Sequence, residues 1–400
     1  MLSHAIELLL ALLTLSGLVY TALALLAARS FARSFRRPAQ PLAAAPAVSL
    51  LKPLKGADDD LPAALESHCL QQYTGPWEIL CAVSSPADPA VAVVAHLQAA
   101  YPHVALKLIV CPDRLGTSGK VSNLVQTLPS AQFDHILIND SDIHVGPNYL
   151  ARIMAGFSTP GPTAKQPARP VGMVTAPYRG RAHADPRTGR IPVWSRLEAL
   201  GIATEFLPGV LTARMLESGI HFGLGSTLAM RRDALVAAGG LEPLLEVLAD
   251  DYELGARIAR AGFRVELSAE VVETSVPPYT LRGFFDHQLR WSRSTRDSRR
   301  LGYLGLGITF VVPWAFATCL ASGFALPSLA LLSLALAART ALALAVGVGI
   351  LRDGQVLRDL WLLPLRDLFA LFFWIWSYAG DTVLWRGERF RLHRGKMLKL

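Results

Sequence analysis

Two aspartates stand one residue apart at the end of a short apolar run. Residues His135–Asn139 are typical of a buried parallel strand, and Asp140 and Asp142 follow them closely. Because ligands bind beyond the carboxyl ends of the strands in an open α/β sheet, we expect both carboxylates at the mouth of a cleft. Such hard oxygen ligands suit Mg²⁺ or Mn²⁺ carrying a diphosphate. An acidic turn after a strand is the alternative interpretation, since Asp and Ser favour turns.

A second acidic pair, Asp250 and Asp251, opens a predicted helix that ends before Gly262. Carboxylates at this position can simply favour the positive N-terminus of the helix. They can also act chemically, because a carboxylate that is held rigidly at a helix start can take a proton from an attacking alcohol. The residues by themselves leave both interpretations open.

Arg290 and Trp291 lie on a predicted helix just before an apolar run. An Arg-Trp pair beside a membrane is an ordinary interfacial anchor. The same pair can close a cleft, with Arg290 neutralising a departing diphosphate and Trp291 packing against a sugar or an acceptor. Asp88 follows the second predicted strand, where it can also cap the next helix with Pro89 at the first position.

Alternating strands and helices are predicted to carry these residues. The predicted strands are Val48–Leu51, Glu78–Val83, Leu106–Val110 and His135–Asn139, and the helices between them are Leu61–Gln71, Pro89–Ala100 and Val121–Leu128. This order predicts a doubly wound parallel sheet, which binds nucleotides at its switch point. The chain has neither a G-x-G-x-x-G motif nor a P-loop motif, so a dinucleotide fold and a P-loop fold are not supported.

Beyond Asp142 the alternation of strands and helices loosens. A strand is predicted at Gly172–Thr175, a basic and mobile excursion at Arg179–Pro192, and a long helix at Val193–Met215. The turn Phe222–Thr227 contains glycines that would let the backbone approach a ligand closely.

A nearly uninterrupted apolar run, Ala5–Ala28, is long enough to span a bilayer. Only His4 precedes it as a basic residue, and the arginines that follow it at once are Arg29, Arg33, Arg36 and Arg37. A secretory signal peptide carries its positive charge before the apolar core. This pattern therefore predicts an uncleaved anchor with its N-terminus outside and the following domain in the cytoplasm.

Two further apolar runs, Tyr303–Leu326 and Ser328–Leu351, are separated by Pro327 and have arginines beyond both outer ends. They predict a membrane hairpin with both ends in the cytoplasm. The segment Leu360–Leu384 is apolar but contains charged residues, and a basic tail follows it. A span there would put the tail outside, against the positive-inside rule. We therefore expect a re-entrant or interfacial segment with its tryptophans at headgroup level.

The chain of 400 residues has 52% apolar residues and a formal net charge of +8. Most of the positive charge flanks the apolar runs, where it would face anionic lipids, and no basic stretch is interleaved with aromatic residues. The composition therefore predicts an integral membrane protein without a nucleic-acid partner. The four cysteines have no C-x-x-C spacing and are expected to be buried thiols in a reducing compartment.

The ordered set of Asp88, Asp140-Ser141-Asp142, Asp251 and Arg290-Trp291 resembles the D, D, D, (Q/R)-x-x-R-W pattern of membrane-bound inverting glycosyltransferases with the GT-A fold. Within this group the chain is similar to the ceramide glucosyltransferase family and its bacterial relatives, including the hopanoid-biosynthesis-associated glycosyltransferases. The similarity is carried by the stretches VSLLKPLKG at 48–56, ADPA at 87–90, KVSN at 120–123 and ADDY at 249–252. It extends over residues 48–291 and, less specifically, over the C-terminal apolar runs.

The resemblance implies a donor site at the first part of this pattern. Asp88 would contact the base or ribose side of the nucleotide, and Lys120 and Asp140 would also bind the nucleotide-sugar. Asp140 with Asp142 would hold a divalent metal, Mg²⁺ or Mn²⁺, on the diphosphate. Some relatives have Gly where Asp142 stands, so the resemblance ranks Asp140 first as the metal-site residue.

The resemblance also implies the catalytic residues. Asp251 would be the base, and Arg290 and Trp291 would serve the diphosphate and the acceptor. One position departs from the pattern, because His287 stands where relatives have Gln or Arg.

Four regions follow from these patterns: a transmembrane anchor with its basic flank at 1–37, a linker at 38–46, a cytoplasmic α/β domain of the GT-A type at 47–300, and a membrane region with a basic tail at 301–400. The predicted reaction moves one hexose or N-acetylhexosamine from a UDP-sugar to the hydroxyl of a membrane lipid of the ceramide or hopanoid type. The predicted location is the bacterial inner membrane. A processive polysaccharide synthase, which normally needs more spans, and a catalytically silent membrane scaffold are the alternatives.

Overall fold

The structure is a computed structural model that describes residues 2–35, 45–158, 169–385 and 388–400. Arg36 and Arg37 of the predicted basic flank lie outside the described residues, as do residues 38–44 of the predicted linker.

Short strands alternate with helices through the middle of the chain, and apolar helices lie towards both ends. The strands are β1 Val48–Pro53, β2 Trp77–Val83, β3 Leu106–Val110, β4 His135–Ile138, β5 Ile143–His144, β6 Val171–Thr175, β7 Tyr178–Ala182, β8 Leu228–Arg231, β9 Arg264–Leu267, β10 Val272–Val276, β11 Thr382–Trp385, β12 Glu388–His393 and β13 Lys396–Lys399. The α-helices are α1 Leu2–Phe35, α2 Leu61–Cys69, α3 Ala90–Ala100, α4 Gly119–Thr127, α5 Tyr149–Ala155, α6 Val193–Gly201, α7 Leu207–Leu216, α8 Arg232–Ala237, α9 Asp250–Arg260, α10 Leu281–Ser298, α11 Arg300–Gly305, α12 Val311–Ala321, α13 Leu326–Ala343, α14 Gly354–Asp359 and α15 Leu363–Ser377.

A seven-stranded mixed sheet forms the centre of the protein, in the order β3-β2-β1-β4-β8-β6-β9. The first four strands are parallel neighbours, as the alternation of strands and helices predicts. β8 is antiparallel to both β4 and β6, so the prediction of a wholly parallel sheet is wrong beyond β4. The predicted α/β fold class is confirmed.

Buried hydrogen bonds explain the reversed direction of β8. The turn Phe222–Thr227 precedes this strand and is held where β4 and β6 end. Asn139, just after β4, donates through Nδ2 to the Ser226 carbonyl oxygen at 2.6 Å. Thr175, the last residue of β6, donates through its hydroxyl to the Thr227 carbonyl oxygen at 2.6 Å. Because the chain enters β8 from this edge, β8 must run against β4 and β6.

A second sheet has the order β5-β10-β7, in which β10 and β7 are parallel and Val272 pairs with Tyr178. The prediction of a mobile excursion at Arg179–Pro192 is therefore wrong for its first residues, which belong to β7. Tyr178, Gly180 and Ala182 are buried while their neighbours are more exposed, and this period of two is typical of a strand with one buried face.

The basic tail folds into a third, antiparallel sheet, in the order β11-β12-β13. Its inner side chains are Val383, Phe390, Leu392 and Met397, which are buried and pack with Leu248. Arginines and lysines alternate with these apolar residues and point outward. Sequence reasoning treated the segment only as a charged tail, because the positive charges obscured the period of two.

Within the described residues, four helices are long and apolar enough to cross a membrane, namely His4–Arg33, Val193–Leu216, Leu326–Val348 and Gly354–Ser377. A pair bent by 44°, Arg300–Ile308 and Val311–Ala321, is a fifth candidate. The predicted anchor and hairpin coincide with the first helix, the bent pair and Leu326–Val348. Val193–Leu216 differs from the others, because 61% of its most apolar window is buried inside the protein.

Close packing of α9 provides a test of the fold. A Cβ on Gly255 would lie 2.1 Å from the backbone nitrogen of Gly223. Gly255→Ala would push α9 away from that turn, and we expect it to lower the free energy of unfolding by about 1–3 kcal/mol. Gly354 also lies in a helix, but a Cβ added there would meet nothing within 4 Å. Gly354→Ala should therefore change stability by less than about 1 kcal/mol. Denaturation in detergent compares the two variants, and equal stabilities would contradict the close packing.

Candidate active site

Asp140 and Asp251 approach Gly225 from two different elements. Asp140 follows β4, whereas Asp251 lies in the first turn of α9. A Cβ on Gly225 would lie 3.0 Å from Asp251 Oδ2 and 3.2 Å from Asp140 Oδ2. The fold therefore brings two carboxylates that are distant in the sequence to one glycine, beyond the carboxyl end of β4.

Lys120 forms an ion pair with carboxylates on both elements. Its Nζ lies 2.8 Å from Asp140 Oδ1 and 2.9 Å from Asp250 Oδ2, and its side chain is only 11% exposed. Burial by itself would lower the pKa of Lys120, but the charges of Asp140, Asp250 and Asp251 raise this pKa above its usual value. Lys120 is therefore a fixed cation at the centre of the cluster.

The segments that precede α4 and α9 are bonded to each other and to the C-terminal sheet. The Glu246 carboxylate accepts hydrogen bonds from the backbone nitrogen of Thr117, at 3.1 Å, and from the Thr117 hydroxyl. The Ser118 backbone nitrogen donates to the Leu245 carbonyl oxygen at 2.8 Å, and Met397 in β13 donates to the Glu246 carbonyl oxygen at 2.7 Å. These bonds set the positions from which Lys120 and Asp250 reach the cluster.

The ionisation of Asp251 is shifted towards neutral pH. Burial and, next, the neighbouring charge of Asp250 raise the pKa of Asp251 to about 6, although Lys120 and the Tyr252 backbone nitrogen each act to lower it. The carboxyl is protonated below this pH and ionised above it. A carboxylate with such a pKa is suited to accept a proton near pH 7.

Asp142 is bonded to β10 rather than to Lys120. Its Oδ2 accepts a hydrogen bond from the Thr274 hydroxyl at 2.6 Å. Burial and the adjacent charge of Asp140 raise the pKa of Asp142. Lys52, which is buried in β1, donates to the Asp140 carbonyl oxygen at 2.8 Å, and burial lowers the pKa of Lys52 to about 8. The turn that carries Asp140 and Asp142 is thus held by β10 through Asp142 and by β1 through Asp140.

Asp88 connects two loops at the same edge of the sheet. Its Oδ1 accepts hydrogen bonds from the backbone nitrogens of Gly56 and Ala90, each at 2.9 Å. In the structure Pro89 is the N-cap residue of α3 and has no side-chain capping bond, so Asp88 lies one residue before the capping position that the alternative interpretation predicts. Because β1, β2 and β4 are parallel, the loops that follow them lie on the side of the sheet where Asp140 is found. A contact with a nucleotide stays a prediction.

A buried carboxylate orients the helix that carries Arg290 and Trp291. Glu198, in α6, lies 3.3 Å from His287 Nδ1 and accepts a hydrogen bond from Gln288. The Trp291 ring lies 5.4 Å from the His287 ring and 5.8 Å from the Phe206 ring, measured between centroids. His287, which stands where the family pattern has Gln or Arg, is therefore paired with Glu198 in this chain.

Two tyrosines connect this helix with the carboxylate cluster. Tyr178 is buried beside Phe206, with their ring centroids 5.2 Å apart. Its pKa is raised by burial and, in turn, by the charge of Asp251. Burial also raises the pKa of Tyr279, which the positive charge of Arg290 lowers in part. Tyr178 is thus affected by the charge of Asp251 and packs against the aromatic side chains around Trp291.

The carboxylates fit a metal that is shared with a diphosphate. No group of three or more His, Cys, Asp or Glu residues able to hold a metal ion occurs in the described parts of the chain. Mg²⁺ in phosphate-transfer sites commonly takes only one or two carboxylates and completes its shell with phosphates and water. Asp140 has the hard oxygens for this role and faces the space beside Gly225. The residues are therefore compatible with Mg²⁺ or Mn²⁺.

The structure brings Lys120, Asp140 and Asp251 together, as the sequence pattern predicts. Sequence reasoning missed Asp250 as a partner of Lys120, although the residue adjoins the predicted base. It also missed Glu198 and Tyr178. Glu198 is one of only two acidic residues in a mostly apolar predicted helix, and this was an available signal for it, whereas nothing local distinguished Tyr178.

A family model described as glycosyl transferase family 21 matches residues 9–398. The chain is similar to ceramide glucosyltransferase 1 of Caenorhabditis elegans, with 26% identity over 249 residues that cover 62% of this chain and 49% of the relative. It is 33% identical to the ceramide glucosyltransferase of Komagataella phaffii over 109 residues, which cover 26% of this chain and 21% of the relative. The chain spans about half the length of the first of these curated relatives.

Among solved structures, the chain is similar to the mannosyltransferase PcManGT from Pyrobaculum calidifontis in complex with GDP-Man and Mn²⁺. The identity is 19%, the TM-score is 0.48, and the match covers 90% of this chain and 99% of that chain. Another similar structure is S. aureus TarS 1-349 in complex with UDP, with 14% identity, a TM-score of 0.39, and coverage of 87% of this chain and 97% of that chain.

The raised pKa of Asp251 predicts a stability effect. The folded protein retains a proton on Asp251 up to about pH 6, whereas the unfolded chain releases it near pH 4. Stability is therefore lost as the pH rises through this window. We expect Asp251→Asn to be more stable than the wild type by about 2–3 kcal/mol above pH 7 and equally stable below pH 4.

Denaturation in detergent across this pH range measures the difference. Asp250→Asn is the matched control, because it loses the ion pair with Lys120 and should not be stabilised. A pH-independent effect of Asp251→Asn would contradict the shifted pKa.

Proposed function

The chain belongs to glycosyl transferase family 21, and we propose that it transfers one hexose or N-acetylhexosamine from a UDP-sugar to the hydroxyl group of a membrane lipid, with inversion at the anomeric carbon. The observation that carries the proposal is the carboxylate cluster. Lys120 joins Asp140 to Asp250, and Asp140 and Asp251 both lie beside Gly225. Such a cluster offers a base, a cation and metal-binding oxygens within one small space.

Asp251 is the proposed base. Its carboxylate takes the proton of the acceptor hydroxyl as the hydroxyl oxygen forms a bond to the anomeric carbon. The bond between that carbon and the diphosphate oxygen breaks, and its electron pair leaves with UDP. A pKa of about 6 leaves most of Asp251 ionised near pH 7 and still lets it hold the transferred proton briefly.

The donor is bound by residues on both sides of the cluster. Asp88 contacts the nucleoside side of the UDP-sugar, and Lys120 and Arg290 offset the negative charge of the diphosphate. A divalent ion at Asp140, with Asp142 beside it, would supply further charge neutralisation when bound. Lys120 is already held between two carboxylates, so the donor meets a cation whose position needs no reorganisation.

The acceptor approaches from the aromatic side of the site. Tyr178, Phe206 and Trp291 form a continuous set of rings, and apolar surfaces of this kind suit a lipid or the face of a sugar. The curated relatives that the chain matches are ceramide glucosyltransferases, which supports a lipid acceptor. A ceramide-type lipid and a hopanoid both offer the required hydroxyl.

We place the protein in the bacterial inner membrane with the catalytic domain in the cytoplasm. Arg29 and Arg33 lie at the end of α1 that leads into this domain, in agreement with the positive-inside rule. All four cysteines are buried and free, which suits a reducing compartment.

Transfer should require Asp251. We expect Asp251→Asn to lower the rate by about 100-fold or more, because no base then takes the hydroxyl proton, while the variant still binds the donor. The assay incubates the reconstituted protein with a panel of UDP-sugars and host lipid extract and identifies the product by mass. Asp134→Asn is the control, because the Asp134 side chain is 93% exposed and has no proposed role in the reaction.

The same assay tests the product. One glycolipid carrying a single added sugar supports the proposal, whereas a ladder of oligosaccharides would indicate a processive synthase. Near-normal turnover of Asp251→Asn would exclude this residue as the base.

Transfer should also depend on a divalent ion. We expect a chelator to stop the reaction and Mn²⁺ or Mg²⁺ to restore it. Asp140→Asn should raise the Mn²⁺ concentration for half-maximal rate by about 10-fold or more. Asp142→Asn should have a smaller effect, because its carboxylate is bonded to Thr274. A reaction that is insensitive to the chelator would contradict the proposed metal role.

A further inference from the structure

The helix Gly354–Ser377 begins against the catalytic domain. Gln355 donates through Nε2 to the Gly180 carbonyl oxygen at 2.7 Å and accepts through Oε1 from the Ala182 backbone nitrogen at 3.2 Å. Both partners belong to β7, so the first turn of the helix is hydrogen-bonded to a sheet of that domain. The chain immediately before the helix is bonded there as well, since Arg179 donates to the Leu351 and Arg352 carbonyl oxygens at 3.2 and 2.9 Å.

The same helix also ends against the catalytic domain. Arg296, in α10, donates to the carbonyl oxygens of Ser377 and, at 2.9 Å, of Gly380. Arg293, one turn earlier in α10, donates to the Thr382 carbonyl oxygen. The chain then forms the C-terminal sheet, which packs on Leu248 just before α9. Both ends of the helix are therefore tied to elements between residues 178 and 298.

Those two attachments conflict with a membrane-spanning helix. A helix of 24 residues is about 36 Å long, and the hydrocarbon core of a bilayer is about 30 Å thick. If this helix crossed the core, its two ends would lie on opposite faces of the membrane. A single water-exposed domain cannot be bonded to both ends in that arrangement. Length and apolar composition alone do not distinguish a helix that crosses the membrane from one whose two ends are attached to the same domain.

One face of the helix is apolar and exposed. Its members recur every three or four residues and are 37–67% exposed: Leu357, Trp361, Leu365, Leu368, Phe372, Ile375 and Trp376. Three of the four charged residues of the helix, Asp359, Arg366 and Asp367, are buried away from this face. Asp367 forms an ion pair with Arg339 at 2.8 Å, and Arg366 forms one with Glu205 at 2.8 Å. This separation of faces is typical of a helix that lies in a membrane interface.

We infer that the helix Gly354–Ser377 lies flat in the cytoplasmic membrane interface, with its exposed apolar face in the lipid and the C-terminal sheet on the same side as the catalytic domain. The partner of this surface is the bilayer itself. Trp361 and Trp376 lie near its two ends, and tryptophan favours the headgroup level. The adjacent Arg358 is exposed and would meet anionic headgroups.

The flat helix fixes the depth of α10. Phe284 and Phe285 of α10 pack against Phe369 and Phe373 of α15, with ring centroids 5.0–5.9 Å apart. Arg290 and Trp291 lie further along α10, so their height above the lipid is set by this contact. This consequence rests on the proposed lipid acceptor, because only a membrane-bound hydroxyl needs the site at a defined depth. The topology itself does not depend on the reaction.

Depth measurements on spin-labelled variants test the topology. Single cysteines replace Leu357, Leu368 and Ile375, and Leu334, an exposed residue near the middle of α13, provides the control for the bilayer core. The four native cysteines are buried. In proteoliposomes, we expect the three labels on Gly354–Ser377 to have similar, shallow depths and Leu334→Cys to be clearly deeper. A label at Leu368 as deep as that at Leu334, with shallower labels at both ends, would overturn the inference.

Labelling with a membrane-impermeant thiol reagent gives a second measurement of sidedness. Leu398→Cys, in β13, and a cysteine at Asp134 should react from the same side of the membrane. Reaction from opposite sides would overturn the inference whether or not the protein transfers a sugar, so this result is distinct from a failure of the proposed function.

The functional consequence has a matched pair of variants. Leu368→Glu places a charge in the lipid-facing surface, whereas Leu398→Glu places it on an exposed leucine of the C-terminal sheet. We expect the first variant to lose at least about 10-fold in transfer to lipid and to keep its binding of UDP, and the second to behave like the wild type. Equal transfer by both variants would show that the membrane contact of this helix does not serve acceptor delivery.

Discussion

A cation among partly buried carboxylates is the interaction on which the rest of the site depends. Lys120 offsets the charges of Asp140, Asp250 and Asp251, which would otherwise repel one another in a poorly solvated space. Burying carboxylates without a partner costs several kcal/mol for each ion. Lys120 does not fully offset the effects of burial and of Asp250 on Asp251, so the pKa of Asp251 stays raised. A raised pKa is the property that a base near neutral pH requires. Electrostatic cost and proposed chemistry thus have one origin.

Several elements share the task of holding this cation and its partners. Ser118 and Thr117 at the start of α4 are bonded to Leu245 and Glu246, which precede α9, so the two helix starts move together. On the membrane side, Glu198 holds α10 through His287 and Gln288. The proposed donor and acceptor halves of the site are therefore built around separate charged anchors. The charge of Asp251 acts on Tyr178, whose ring packs against Phe206 on the proposed acceptor side.

Local patterns predicted the parts of the site that follow parallel strands. The apolar run before Asp140 predicts both the strand and the edge of the sheet at which this carboxylate lies. Asp88 follows the apolar run of β2 after a short turn, which predicts the same edge for it. The direction of β8, the approach of α9 to Gly225 and the pairing of Glu198 with His287 depend on contacts between distant segments, which no local period records. The C-terminal sheet escaped prediction for another reason, because its basic residues outweighed the apolar alternation around Phe390.

The C-terminal sheet has a consequence for how the protein matures during synthesis. Met397, close to the end of the chain, is bonded to Glu246 in the segment that sets the starts of α4 and α9. A ribosome releases this strand only after the described apolar helices that precede it have been made. The α/β part that carries the cluster can fold early, but its final geometry waits for β13. Completion of the cluster is thereby coupled to insertion of the preceding helices, and a chain that stalls in the membrane lacks this final support for its charged centre.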